Sequence, residues 1–529
     1  MATNIQINGR RLTTQHSVNA AIKSICNIMR RSNCAGAMQY VPELTWILFL
    51  RILDEQEAQE AERAETVGAE FIPSISEPYR WRDWAAPPDD SLFAEKSNGC
   101  PIGWKRRELT EGGSLGSFKS FVNDDLIPHL RSLRKRPDAT PRQKIIGEIM
   151  TAVERVRIDT DKNLLDVLDR VHALRNGHID PTHVFALSQV YEGLLLKMGE
   201  KGNDGGQFFT PREIIRGMVR AVDPQWGETV YDCCTGTGGF LAQSYEHMRD
   251  ALGQEATADQ IETLKRRTFY GREKENLIFP IALANLVLHG IDQPKLWHGN
   301  TLTDVAAYAD LFHDAPAQFE VILTNPPFGG KEGKEAQTRF AYKTGATQVL
   351  FLQHVIDSLA PGGRCGIVLD EGILFRSNET AFVQTKRKLL DECDLWSIVS
   401  LPGGVFSAAG AGVKTNLLFF TKGRPTERIW YYDVSDVKVG KKTPFTVDRF
   451  ADFFRLLPDR ADSERSWTVE RADIEAKRYD LKAVNPNARG DQDRRTPEEL
   501  LDIIEAKGRE VAEALSALRA ALADGRPGP

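Results

Sequence analysis

Apolar positions along the chain follow a helical period first and a strand period later. Up to about residue 195 they recur at three- and four-residue spacing, as in "SVNAAIKSICNIMRR" (17–31), "VPELTWILFLRILDEQEAQEAERA" (41–64) and "LLDVLDRVHALRNGH" (164–178), which places them on one face of successive helices. The Pro- and Trp-containing connection "EPYRWRDWAAPPDD" (77–90) reads as an ordered loop. From about residue 207 short β runs alternate with helical stretches: "ETVYDCC", "TFYG", "KLWHG", "FEVILTN", "RCGIVLD", "LWSIVSL" and "TNLLFFTK". Between them Leu241, Tyr245, Met248 and Leu252, and later Leu352, Val355, Ile356 and Leu359, form helical stripes, the second closed by Pro361-Gly362-Gly363. Such alternation predicts a mostly parallel seven-stranded sheet covered on both faces. "PGGVFSAAGAGVK" (402–414) leaves no room for a useful helix, so the seventh strand is expected to run antiparallel to the sixth.

Beyond about residue 425, "RIWYYDVSDVKVGKKTPFTVDRF" reads as a short β appendage, and the polar stretch ending in "NPNARGDQDRR" reads as a linker. Thr496-Pro497-Glu498-Glu499 then forms a capping box with proline in the first turn, opening a helix to about Ala523. The expected divisions are a helical domain 1–195, an α/β domain 196–425, the appendage 426–480, and a linker with a C-terminal helix 481–529. On that last helix Leu501, Ile504, Val511, Leu515, Leu518 and Leu522 make a seam suited to a partner helix.

Composition narrows the class. The 529 residues are 41% hydrophobic and 27% charged, ordinary for a multidomain soluble chain, and the longest apolar run, "LTWILFLRIL", is broken by Arg51. No signal-peptide core opens the sequence, so a cytoplasmic protein without membrane contact is expected. Seven cysteines without CxxC spacing argue against a disulfide framework or a zinc ribbon, and the ten histidines show no metal spacing, so no metal is assigned. A net charge of −6 does not itself indicate nucleic-acid binding, and the basic clusters at 131–136 and 265–267 fit solvated helix faces.

The candidate chemistry sits at strand ends. In "VILTNPPFGG" (321–330) two prolines that cannot donate ladder hydrogen bonds stop the fourth strand at Asn325. The first strand ends in Asp232, followed by "CCTGTGGF", whose Gly236, Gly238 and Gly239 let backbone N–H groups approach a ligand at a helix start. Leu241 stands where a dinucleotide fingerprint needs its third glycine, and no phosphate-loop Lys-Ser/Thr is present. Glu273 ends the second strand where a ribose diol could be chelated, although alone it reads more readily as a surface acid. If strands one and four are neighbours, the glycine turn and "NPPF" flank one crevice. "GGQFFTPREI" (205–214) could lay Phe208 and Phe209 over it, or pack both into the core.

Together these segments resemble amino-type DNA methyltransferases that use S-adenosylmethionine: Asp232 with "GTGGF" as the cofactor loop, Glu273 as the ribose acid, "NPPF" as the catalytic motif and "QFFTP" as the N-terminal cofactor motif. With "ELTWILFLRIL", "YEGLLLKMG", "GNTL", "PGGRCGIVL", "LPGGVF" and "GVKTNLLFFTKG", nearly the whole chain is similar to the modification subunit of type I restriction-modification systems. The resemblance implies an α/β, Rossmann-like S-adenosylmethionine-dependent methyltransferase with an all-α N-terminal domain and a C-terminal helix, acting on adenine N6 of DNA. It implies cofactor contacts from Gln207, Phe208, Phe209, Thr210, Pro211 and Arg212, from Asp232, Thr235, Gly236, Thr237, Gly238, Gly239 and Phe240, and from Glu273, Asn300 and Leu302. Asn300 stands where many relatives carry an acid. By the same resemblance the Asn325 side-chain oxygen and the Pro326 carbonyl accept the two N6 hydrogens, Pro327 stiffens the turn, and Phe328 stacks on the extruded base. The implied partners are DNA, a specificity subunit, a second copy of this chain held through that subunit, and a restriction subunit. Cys233 and Cys234 fit as small residues under the turn. Enzymes that methylate protein glutamine or exocyclic amines of ribosomal RNA also use such a motif, but lack a reason for the helical N-terminus and the capped C-terminal helix. A non-catalytic scaffold would not need Asp232, Glu273, Asn325 and Phe328 together.

Overall fold

Side chains on opposite faces of one twisted sheet build two separate apolar clusters, and this two-sided burial organises the molecule. The computed structural model describes residues 15–32, 34, 37–88, 101–173, 210–253, 255–303, 315–406, 414–440, 443, 445–487 and 497–523. Its strands are β1 (Val230–Asp232), β2 (Phe269–Glu273), β3 (Lys295–His298), β4 (Phe319–Thr324), β5 (Leu359–Asp370), β6 (Cys393–Ser400), β7 (Thr415–Lys422), β8 (Arg428–Asp433) and β9 (Ser466–Glu470). They form a nine-stranded sheet in the order β3-β2-β1-β4-β5-β7-β6-β8-β9. Along β7, Leu417 and Phe419 face one cluster, while Leu418 and Phe420 face the other.

The mostly parallel α/β class holds, and β7 runs antiparallel as expected, seated between β5 and β6. The strand count is corrected from seven to nine. The stretch expected as a short appendage supplies β8, parallel to β6 with Ser397 opposite Trp430, and β9, antiparallel to β8. The physical reason is that "IWYY" is buried on both faces: Trp430 and Tyr432 join one cluster, Ile429 and Tyr431 the other. A run of four aromatic and aliphatic residues that needs cover on both sides finds it at the sheet edge.

Helices at Gln15–Arg31, Ala37–Thr66 and Asp161–His172 match the three N-terminal periodic stretches. The Thr160 side chain caps the last by accepting from the Asn163 N–H. The Trp-containing loop holds a short helix at Trp81–Trp84, whose Trp84 stacks on Trp46 at 6.4 Å between ring centres. These helices and one sheet face share a single core. The helix Ile278–Leu288 shows why: all eleven of its residues are buried, with the N-terminal helices Ala37–Thr66 and Pro141–Ile149 packed against it. The C-terminal helix, Pro497–Ala523, leaves Leu501, Ile504, Val511, Leu515 and Leu518 between 49% and 66% exposed. Among the described residues no helix is long and apolar enough to cross a membrane.

β1 and β4 are neighbours in the sheet, so the carboxyl ends carrying Asp232 and Asn325 lie side by side. Gly271 in β2 packs beneath this junction. An added Cβ there would stand 2.6 Å from Leu296 Cδ2 and would also collide with the Thr235 hydroxyl of the glycine turn. Gly271→Ala is therefore expected to destabilise the chain by about 1–3 kcal/mol, read as a lower urea midpoint at unchanged slope.

Candidate functional site

Asp232, at the end of β1, is 1% exposed, so its carboxylate must find partners inside the protein. Oδ1 accepts from the Cys234 N–H at 3.1 Å and from the Thr324 hydroxyl of β4 at 2.7 Å. Oδ2 is buried and accepts from no described residue. Burial pushes this carboxyl up to about 7, against the two hydrogen bonds, which favour the ionised form.

The chain then turns sharply. Thr235 Oγ1 donates to the Asp232 carbonyl, and Gly238, at φ +85°, opens the helix Gly239–Leu252 from the left-handed region that glycine tolerates. Glu273, at the end of β2, braces the turn: Oε2 accepts from the Gly236 N–H and Oε1 from the Glu275 N–H, each at 2.8 Å. Burial also pushes Glu273 up to about 7. Each oxygen still has a lone pair for a second donor.

Across the crevice, Asn325 Nδ2 donates to Thr210 Oγ1 at 2.9 Å. Its Oδ1 is buried and without a described partner, as are Asp232 Oδ2 and Asn285 Oδ1 of the same cavity lining. Phe328 is held in a T-shaped contact with Phe406, ring centres 5.4 Å apart. The cavity joining these groups measures about 410 Å³.

Most residues singled out from the sequence meet here. Thr210, Arg212, Asp232 and Glu273 line the cavity, as do Thr235, Gly236, Thr237, Gly239 and Phe240 of the turn, Asn300 beyond β3, and Asn325, Pro327 and Phe328 beyond β4. Pro211, Gly238, Leu302 and Pro326 are not in the wall. Pro211 is the residue before the helix Arg212–Val222, Gly238 is turned toward Leu286, and Leu302 is fully buried with its N–H donating to Asn300 Oδ1. Pro326 is buried beneath the turn, its carbonyl accepting from Gln348 Nε2. Gln207, Phe208 and Phe209 lie outside the described residues. Cys233 and Cys234 sit under the turn, Cys233 Sγ 3.4 Å from Thr324 Oγ1, and burial raises the Cys234 thiol well above its usual range.

Sequence reasoning missed Thr324 and Gln348. Thr324 adjoins the recognised Asn325 and could have been suspected as a polar residue closing an otherwise apolar strand. Gln348 left only the faint trace of an amide inside the apolar helix Thr347–Ser358.

The unpartnered acceptors of Asp232 and Asn325, a carboxylate braced beneath backbone N–H groups and an aromatic ring on one cavity suit a ligand pair: a polyhydroxylated, cationic molecule near Asp232 and Glu273, and a planar amine near Asn325. Comparison with known proteins agrees. Residues 183–494 match the family described as N-6 DNA Methylase, and residues 18–171 match the HsdM N-terminal domain. The chain is 33% identical over 518 residues to the type I restriction enzyme EcoEI methylase subunit of Escherichia coli, covering 95% of this chain and 97% of that one. It superposes with a TM-score of 0.71 and 31% identity on a modification subunit of a putative type I restriction enzyme from Vibrio vulnificus YJ016, covering 90% and 98% of the two chains. A chain from a solved type I R-M system matches at 0.70 with 34% identity, over 98% of this chain and 100% of that one. The protein belongs to the N-6 DNA methylase family, among the methylase subunits of type I restriction enzymes.

Proposed function

We propose that the cavity between β1 and β4 is the methyl-transfer site of this DNA adenine-N6 methyltransferase, with S-adenosylmethionine held by the glycine-turn side and the target adenine by the Asn325–Phe328 turn. The observation that carries the reading is that Asp232 Oδ2 and Asn325 Oδ1, both buried and without a partner among the described residues, belong to residues lining one cavity. A buried acceptor left unsatisfied costs about 1–3 kcal/mol, and a ligand with matching N–H and O–H donors removes that cost.

The residues present fit the cofactor. Asp232 and Glu273 offer carboxylate oxygens to hydroxyl and ammonium donors, the Gly236–Gly239 turn brings backbone close, and Arg212 and Asn300 close the ends. When bound, S-adenosylmethionine supplies an electrophilic methyl group on a sulfonium. The rest falls to the chain. Adenine N6 is a weak nucleophile because its lone pair is delocalised into the ring, so the protein must hold the amine out of conjugation and aimed at the methyl group. Asn325 Oδ1 accepts one N6 hydrogen, and its amide cannot turn away while Nδ2 is tied to Thr210. Phe328, fixed by Phe406, offers a ring for stacking of an extruded base. Cys233 and Cys234 take no part, since transfer is direct.

Partners follow from the family to which the chain belongs. With a net charge of −6, the chain grips DNA together with a specificity subunit that reads the sequence and holds a second copy of this chain; a restriction subunit completes the assembly. The 27-residue C-terminal helix is the docking element, because five large apolar side chains on its seam are about half or more exposed and suit a helical partner.

The direct test is Asn325→Ala in the chain co-expressed with its specificity subunit. Transfer of labelled methyl to DNA should fall about 10²–10³-fold, while calorimetry returns cofactor affinity close to wild type. Transfer above about a tenth of wild type would remove Asn325 from the site.

The two carboxyls raised to about 7 generate a pH dependence. Above that value both are ionised and accept donors from a cationic ligand; below it they are protonated. Cofactor affinity should therefore rise as the pH is taken from about 6 to about 8, and Glu273→Gln should flatten that slope and weaken binding about tenfold or more at the upper end. A wild-type dissociation constant that does not move over this range contradicts the assignment.

For the tail, a chain ending at Asp491 should bind S-adenosylmethionine normally and yet elute apart from the specificity subunit on size exclusion. Co-elution at full strength would show the helix to be dispensable for docking.

A further inference from the structure

After a register shift between Phe319 and Val321, β4 and β5 run parallel and in register from the pair Val321 and Arg364 to the pair Thr324 and Ile367. Beyond that point the ladder cannot continue, because Pro326 and Pro327 have no N–H to donate. The Pro326 carbonyl and the Asp370 N–H are then left facing a gap at the strand ends. A side chain fills it: Gln348, 3% exposed on the second residue of the helix Thr347–Ser358, donates from Nε2 to the Pro326 carbonyl at 3.2 Å and accepts at Oε1 from the Asp370 N–H at 3.0 Å. One partner is solely an acceptor and the other solely a donor, so the sense of the amide is unambiguous. The glutamine amide thus stands in for the missing backbone peptide.

The far anchor is rigid. Asp370 pairs with Thr415 of β7, and its side chain caps the next helix by accepting from the Ile373 N–H at 3.1 Å. The near anchor lies between the two parts of the turn that face the cavity, Asn325 on one side and Pro327 with Phe328 on the other. A shift of the Pro326 peptide would move the Asn325 amide and the Phe328 ring together. Misplacement of about 1 Å at a reacting centre can cost about 10²-fold in rate.

We infer that Gln348 is a positioning residue for methyl transfer: its side-chain amide locks the Asn325–Phe328 turn to the end of β5 and so holds the base-accepting groups in place. The inference rests on the reading of this turn as the base site.

The test uses the chain in complex with its specificity subunit, acting on unmethylated genomic DNA, with Asn325→Ala alongside. Gln348→Leu removes both hydrogen bonds and should lower kcat about tenfold or more while the cofactor dissociation constant stays within about twofold of wild type. Gln348→Glu separates positioning from packing. The introduced carboxyl keeps the size of the amide and an acceptor for Asp370, but it donates to Pro326 only when protonated; ionised, it sets two oxygens against each other. Its kcat relative to wild type should therefore climb as the pH falls from about 8 to about 6, a signature that filling space cannot produce. Should Gln348→Leu fail to fold, the Gln348→Glu ratio decides. A ratio flat with pH, or both variants within about twofold of wild type, overturns the inference. Because Asn325→Ala is measured in parallel, the two readings fail separately: an active Asn325→Ala refutes the base site, whereas an inactive one beside unimpaired Gln348 variants refutes only the role of Gln348.

Discussion

The hydrogen bond from the Thr324 hydroxyl to the Asp232 carboxylate is the contact on which the site depends. It crosses from the end of β4 to the end of β1, the point in the sheet where the chain order changes direction and a crevice must open. A carboxylate at 1% exposure is costly unless paired, and here it is paired through one oxygen only. That bond keeps Oδ1 engaged with the protein and leaves Oδ2 for a ligand. It also joins the strand that ends in the glycine turn to the strand that ends in the Asn-Pro-Pro-Phe turn, so the two halves of the chemistry share one rigid seam.

The same division of labour recurs around the cavity. Asn325 has its nitrogen held by Thr210 and its oxygen free; Glu273 spends one lone pair of each oxygen on backbone N–H groups at Gly236 and Glu275. In each case one part of a polar side chain is used to fix orientation and the remainder faces the cavity. Fixing orientation in advance is what the proposed direct transfer between two bound molecules requires, because no covalent intermediate would hold them together. The raised pKa of both carboxyls follows from the burial that makes this orientation durable.

Outside the site the structure shows where the chain is closed and where it is open. The N-terminal helices and one sheet face are a single apolar cluster, and the helix Ile278–Leu288 is buried on every side between them. The helical region is thus part of the support behind the glycine turn, whose Thr237 carbonyl accepts from Asn285 of that helix. The C-terminal helix is the contrary case, with a row of large apolar side chains that no described residue covers.

Much of this was legible in the sequence because the signals are local. Hydrophobic period distinguishes helix from strand within a few residues, Pro326 and Pro327 stop a strand whatever surrounds them, and Gly236 to Gly239 permit a turn that other residues would strain. Seven strands and the antiparallel sense of β7 follow from such marks read in order, whereas the adjacency of β1 and β4 entered the sequence reading only as a condition that the sheet order then met. What the tertiary structure alone decided are relations between residues distant in the chain. "IWYY" carries no mark saying that it will extend an existing sheet, since that depends on which edge lacks cover. Leu302 and Pro326 belong to recognised segments, yet the bend of each segment turns them into the core and away from the cavity. Gln348 was invisible as a site residue because its partners, Pro326 and Asp370, are each 22 positions away, and a backbone group left without a ladder partner can be identified only when two strands are seen to part.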